Sequence, residues 1–178
     1  MNPWHWEPAL PGSVRPSVRA PEPVLAAVTA EVDPSDPEIA QLAADLVATM
    51  RVAPGCVGLA ANQIGVPANV FALDVSGHSK ARITHGTFVL CNAVILEATR
   101  WQKGREGCLS VPDLTGDVKR AGHLVVRGWL PGTAEPVTLT TDAFEARALQ
   151  HEIDHCGGLL FLDRVAGPHA LYARQVYQ

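Results

Sequence analysis

The stretch Asp142-Ala143-Phe144-Glu145-Ala146-Arg147-Ala148-Leu149-Gln150-His151-Glu152-Ile153-Asp154-His155-Cys156 decides how this chain is read. Its spacing predicts a helix from about Asp142 to Cys156, with Asp142 and Glu145 as a cap pair at its start. Phe144, Ala148, His151 and His155 recur at three- and four-residue steps and so share one stripe. The histidines therefore continue the side that faces the core. Two inward imidazoles without partners are costly to bury, and a shared metal ion removes that cost. The four-residue step sets both rings one turn apart on one face, with Glu152 beside the open coordination position. The alternative is two incidental histidines on a solvated helix, and the apolar stripe argues against it.

Two histidines do not complete a catalytic metal site, so a third ligand is needed. In zinc-protease patterns it lies downstream, as a histidine following a glycine or as a glutamate. Here Gly158 is present, but Phe161 stands where that histidine would be. The one acidic residue after His155 is Asp163, expected to form a surface pair with its neighbour Arg164. The ligand is therefore sought upstream, among His85, Cys108 and His123. Cys108 has the best context, Gly104-Arg105-Glu106-Gly107-Cys108-Leu109-Ser110-Val111-Pro112. Gly107 permits an unusual backbone turn. Glu106 and Ser110 can hydrogen-bond the ligand set, and a thiolate would offset the charge of a divalent metal.

Outward from this helix, an earlier one starts with Asp36 as cap and Pro37 in first position. Ile39, Leu42, Ala43, Leu46, Val47 and Met50 form its apolar stripe, and Pro54-Gly55 ends it. Asn69–Val75, Thr87–Leu96, Leu124–Leu130 and Val137–Thr140 read as strands, with Pro131-Gly132 as a turn. A short helix around Pro168–Val176 is expected to pack on the outside. The fold class is α+β, with mixed or antiparallel β-sheets around a central helix that carries the His-Glu-x-Asp-His motif. The first ~35 residues are rich in proline and small residues, which suggests an extended arm wrapped on the domain. We divide the chain into an N-terminal arm, 1–20, and a single catalytic domain, 21–178.

A length of 178 residues suits one compact domain. Hydrophobic residues make up 47% and charged residues 18%, a globular rather than a disordered composition. The net charge of −4 and the lack of a Lys/Arg cluster argue against a nucleic-acid binder. No apolar run approaches the ~20 residues that span a bilayer. Met1-Asn2-Pro3-Trp4-His5-Trp6-Glu7-Pro8 lacks the basic and apolar regions of a secretory signal. A cytoplasmic location is expected. Cys56, Cys91, Cys108 and Cys156 form no C-x-x-C pair and are expected as free thiols. Cys91, in Phe88-Val89-Leu90-Cys91, reads as a buried strand residue.

Three separated motifs resemble those of the peptide deformylase family. They are Val57-Gly58-Leu59-Ala60-Ala61-Asn62-Gln63, Glu106-Gly107-Cys108-Leu109-Ser110 and Gln150-His151-Glu152-Ile153-Asp154-His155. Their order and rough spacing also match, and the resemblance runs from about residue 20 to 165. It implies hydrolysis of the N-formyl group from the formyl-methionine of newly made polypeptides, with release of formate. It implies Cys108, His151 and His155 as metal ligands, Glu152 as general acid and base, and the Gln63 side chain and Leu109 N–H as donors to the developing oxyanion. Val57, Gly58, Glu106, Gly107, Phe144 and Ala148 are expected to line the substrate site, with the peptide extended beside Gly58 as an added strand. Asp154 is expected to pair with Arg120. The resemblance implies Fe2+ as the metal, with Ni2+, Co2+ or Zn2+ as substitutes. The implied partners are the formyl-methionyl ends of nascent chains, met by a monomer. Weak ribosome association is compatible with that substrate, although no basic tail argues for it. Two residues depart from the family pattern: Cys56 replaces the usual opening glycine, and Cys156, read as a core residue, replaces a common leucine. Competing readings are a small zinc endopeptidase, which would need a third His or Glu ligand, and a non-catalytic formyl-peptide-binding module, which would not need Glu152 or Gln63.

Overall fold

An apolar run that does not alternate needs cover on both faces, and Phe88-Val89-Leu90-Cys91 receives it. Phe88 and Leu90 face one core cluster, while Val89 and Cys91 face another. They begin β3 (Phe88–Cys108) in a computed structural model that describes residues 2–175. β2 (Val70–Leu73) pairs antiparallel with β3 and splits the same way: Phe71 and Leu73 on one side, Val70 and Ala72 on the other. The other strands are β1 (Gly58–Ala60), β4 (Val111–Trp129), β5 (Pro136–Asp142) and β6 (Leu171–Ala173). Together the described strands form one six-stranded sheet in the order β1-β2-β3-β4-β5, with β6 on β4 and every pairing antiparallel.

Each face carries one helix. α1 (Pro37–Val52) covers the Val89/Cys91 side through Leu46, Val47 and Met50. Its cap is as expected, with Asp36 accepting from Glu38 N at 2.8 Å. α2 (Ala143–Cys156) covers the opposite side through Ala146, Ala148 and Leu149 and contains residues 151–155. Gln150 ties α2 to β4, its amide accepting from Ala121 N and donating to Ala121 O, both at 2.9 Å. The α+β frame of an antiparallel sheet around this helix is the one the sequence implied.

Three expectations are corrected. Asp142 does not cap α2 with its side chain. The chain passes from β5 into α2 at Ala143, whose φ of 48° leaves no room for a capping loop. Glu145 is instead fully buried, accepting from His85 N at 2.9 Å and Thr141 Oγ1 at 2.7 Å. The helix expected at Pro168–Val176 is a 3-10 turn, Pro168–Ala170, followed by β6; Val176 lies outside the described residues. The β4 edge at Leu114–Gly116 offers backbone partners that a short isolated helix would leave unused. Finally, β3 and β4 extend far beyond their expected apolar cores and meet at Cys108 and Val111. Residues 94–105 are exposed except for half-buried Ala98 and Gly104, so they carry no alternating pattern to read.

The N-terminal segment lies along the domain. Trp6 donates its indole N–H to Pro131 O at 3.2 Å. Val18 N donates to Gln63 O at 2.7 Å, and Ala20 N to Ser110 O at 2.9 Å.

Candidate active site

Pairing of Cys108 with Val111 leaves Leu109 and Ser110 as a two-residue hairpin tip. That tip brings Cys108 to the last turns of α2. Its Sγ lies 3.3 Å from His155 Nε2. Cys108, His151 and His155 each place one ligand atom within 4.8 Å of the others. His85 is held by Glu145, with Nδ1 2.5 Å from Oε1, and His123 lies 3.8 Å from Glu97. Of the candidate third ligands, Cys108 is the one in the cluster.

The donor set fits a divalent metal ion. A thiol and two imidazoles suit zinc or late first-row metals. Burial, and then the charge of His151, drive His155 well below the ordinary imidazole range, which keeps it in the neutral form that ligation requires. For His151, burial pulls downward, but bonds with Cys108 and Glu106 carry it well above that range. His155 Nδ1 and Glu152 Oε2 are buried and have no hydrogen-bond partner among the described residues. Burial pushes Glu152 up to about 7.

Glu106 supports this cluster. It accepts from His151 Nδ1 at 3.0 Å, Arg120 Nε at 2.9 Å, Arg120 Nη2 at 3.1 Å and Arg147 Nη1 at 2.9 Å. Burial alone would raise this carboxyl, but His151 and Arg120 overcome it and hold the group at about 2. An ionised carboxylate only accepts, so Nδ1 of His151 carries the proton and Nε2 is left for the cluster. Arg120 also bonds Asp154, as the resemblance implied. Arg164 does not pair with Asp163. It grips Asp154 with two bonds, of 3.0 and 2.8 Å, while Asp163 closes its own turn by accepting from Leu160 N at 2.8 Å.

Gln63 sits in the 3-10 turn Ala61–Ile64 after β1. Its Oε1 accepts from Ala60 N at 3.0 Å, and its Nε2 donates to Ser110 Oγ at 3.2 Å and Cys108 Sγ at 3.4 Å. The amide nitrogen is thus turned toward the cluster. Val57, Gly58, Glu106, Gly107, Leu109, Phe144 and Ala148 line one cleft of about 360 Å³ with Gln63, Cys108, His151 and Glu152.

Gly58 lines the cleft and also makes room for Glu152; a Cβ there would lie 2.5 Å from Oε1. Gly107 is a ladder residue opposite Thr115, not a turn, and a Cβ there would lie 2.2 Å from Arg174 Nη2. Cys56 stands on the cleft wall and donates to Gly58 O at 3.1 Å; burial and Glu152 push its thiol up to about 12. Cys156 and Cys91 are buried in the core, as expected.

Two residues of the site were not anticipated. Arg147 is buried on α2 and donates to Gln102 O and Val118 O, each at 2.9 Å, as well as to Glu106. Gly104 on β3 leaves the space its guanidinium fills, since a Cβ would lie 2.8 Å from Arg147 Cζ. His78 stacks on Phe144 with ring centroids 3.7 Å apart and planes at 7°. No local motif marks either residue; each is defined by contacts between distant segments.

A cysteine and two histidines converging beside a buried glutamate, in an antiparallel α+β frame, define a metal-dependent hydrolase. The family model of polypeptide deformylases matches residues 14–170. The peptide deformylase of Aquifex aeolicus is 41% identical over 165 residues, covering 93% of this chain and 95% of its own. Peptide deformylase 2 of Streptomyces avermitilis is 40% identical over 164 residues, covering 90% and 84%. The structure of a class I type b peptide deformylase from Acinetobacter baumannii matches with a TM-score of 0.78 at 32% identity, over 86% of this chain and 99% of that one. The chain belongs to the peptide deformylase family, and its activity is removal of the N-formyl group from newly made polypeptides. That membership sets aside the endopeptidase and binding-module readings. No helix among the described residues is long and apolar enough to cross a membrane.

Proposed function

We propose that Cys108, His151 and His155 hold one metal ion and that Glu152 moves the proton during hydrolysis of the formyl amide. The observation that carries this is the convergence of the three ligand atoms within 4.8 Å beside a buried carboxylate oxygen without a hydrogen-bond partner among the described residues. When bound, the metal supplies Lewis acidity and lowers the pKa of water toward ~7. Glu152 takes the proton of the attacking water and returns it to the departing amine nitrogen. A carboxyl raised to about 7 suits both halves of that exchange. Gln63 Nε2 and the Leu109 N–H donate to the formyl oxygen as its charge grows. The peptide lies extended between Val57-Gly58 and Glu106-Gly107, with the methionine side chain near Phe144 and Ala148.

The metal in this reading is Fe2+, with Ni2+ or Co2+ as longer-lasting substitutes and Zn2+ as a tight but slower one. Iron and a thiolate ligand at a site open to water both oxidise in air. Residues 21–178 form the catalytic domain and 1–20 the arm of a cytoplasmic monomer, with at most a weak ribosome contact.

The test is anaerobic purification, metal analysis and formate release from a formyl-methionyl peptide. One metal per chain with formate release supports the assignment. Full metal retention by Cys108→Ala would overturn the ligand set. Iron enzyme that stays fully active after days in air, with Cys108 unmodified, would overturn the iron assignment in favour of zinc.

A further inference from the structure

Two rows of side chains cross the sheet beside the cleft. In the first, Arg105 on β3 donates from Nε to Asp117 Oδ1 on β4 at 2.8 Å, and its guanidinium lies 3.7 Å over the ring of Tyr172 on β6. In the second, Gly107 on β3 faces Thr115 on β4, and Arg174, just past β6, lays its guanidinium on Gly107. The backbone there is fixed, because Arg174 N donates to Asp113 O at 2.9 Å and Ala173 pairs with Leu114. Gly116 lies under other C-terminal residues, since a Cβ there would lie 2.8 Å from Val165 Cγ1, 3.0 Å from Phe161 Cε2 and 3.3 Å from Leu171 Cδ2. The hairpin thus omits side chains at two places where C-terminal residues lie against it.

The charges of the two rows differ. Arg105 is matched by Asp117. The Arg174 side chain has no ion-pair or hydrogen-bond partner among the described residues, yet it lines the cleft with Gly107 and Cys108. A half-buried guanidinium so placed is a ready fork for a carboxylate and repels a cation.

We propose that Arg174 forms an anion subsite of the cleft that reads an acidic side chain shortly after the formylated methionine. The inference rests on the reading above that an extended formyl-peptide runs along Gly107. Successive residues of such a peptide advance ~3.3 Å each, and a residue following the methionine that passes Gly107 meets the guanidinium laid on it. Arg174 is then a specificity determinant delivered by the C-terminal strand, and it acts on substrate binding rather than on the reacting atoms.

The test uses C-terminally amidated peptides, so that the side chain is the sole carboxylate: formyl-Met-Glu-Ala, formyl-Met-Ala-Glu, formyl-Met-Ala-Ala and formyl-Met-Lys-Ala. The wild-type enzyme is expected to favour one of the Glu peptides over the Ala peptide about three- to fivefold in kcat/KM, the range of a partly exposed ion pair. The gain should lie in KM and shrink toward unity in ~1 M salt. Arg174→Gln should flatten the Glu-to-Ala ratio, and Arg174→Glu should turn the preference toward the Lys peptide. An absent preference in the wild type, or a ratio unchanged by Arg174→Gln, would overturn the subsite; a uniform loss on all peptides would make Arg174 a structural cover for Gly107. Formate release from none of the peptides would instead overturn the reading of the cleft itself.

Discussion

On the side of α2 that faces Cys108, His155 Nδ1 and Glu152 Oε2 are buried without hydrogen-bond partners among the described residues. On the side that faces Arg120, both oxygens of Glu106 and both oxygens of Asp154 accept at least one bond. α2 therefore carries Glu152 and His155, short of partners, less than one turn from the fully bonded Asp154, and Glu106 of β3 completes the bonded side. The fully bonded side fixes the rings and backbone, so the other side can hold reactive groups without collapsing around them. Glu106 joins the two, binding Arg120 and Arg147 while orienting His151.

The contrast breaks first at Glu152. Glu152→Ala is expected to lower kcat by up to ~10⁴-fold, the upper range for a general acid and base, with metal content retained. Loss of metal from the folded variant would place Glu152 among the ligands and erase the distinction between the two sides.

Next is Glu106→Ala, which would take a buried carboxylate partner from both Arg120 and Arg147 and leave Arg147 with backbone carbonyls alone. A loss of about 3–5 kcal/mol is expected in chemical denaturation, as for a broken buried ion pair. A loss under about 1 kcal/mol would show that the bonded side does not hold the fold. The pH dependence has a definite sign. The folded-state carboxyl is depressed to about 2, so its contribution is present above the ordinary carboxylate range and fades as pH falls through about 2. Glu106→Gln should therefore flatten stability against pH across that window.

The smallest of the three effects is expected from Gln63→Ala, which removes a donor turned toward the cluster. A fall in kcat of ~10²-fold, larger than the rise in KM, is expected if the bond strengthens as charge develops. An unchanged kcat would leave Gln63 as a tether between Ala60 and Ser110.

The partner-poor side was largely legible in the sequence. The spacing of His151 and His155 is a property of one helix, and Cys108 stands in a short motif. The bonded side was less so. Glu106 was foreseen as a hydrogen-bonding partner of the ligand set, and the Asp154–Arg120 pair through the family resemblance. Arg147 reads as one more charge on a helix until β3 and β4 are laid beside it. Asp163 and Arg164 are adjacent in sequence, yet Arg164 finds Asp154 instead. The same limit applies to the fold. α1, α2 and the apolar starts of the strands carry local periodicity. The exposed stretch 94–105 and the strand at Leu171–Ala173 owe their form to neighbours far along the chain.

The tethers of the N-terminal segment set an order of events during synthesis. Val18 and Ala20 bond Gln63 and Ser110, and Thr29 reaches further, donating from N and Oγ1 to Cys156 O at 2.9 and 2.8 Å. The part of the chain that leaves the ribosome first thus waits for anchors that emerge much later. Its last bonds, from Thr29 to Cys156, can close only when α2 is complete, whereas those to Gln63 and Ser110 can close earlier. A chain that stops short of Cys156 lacks the acceptor for both Thr29 bonds.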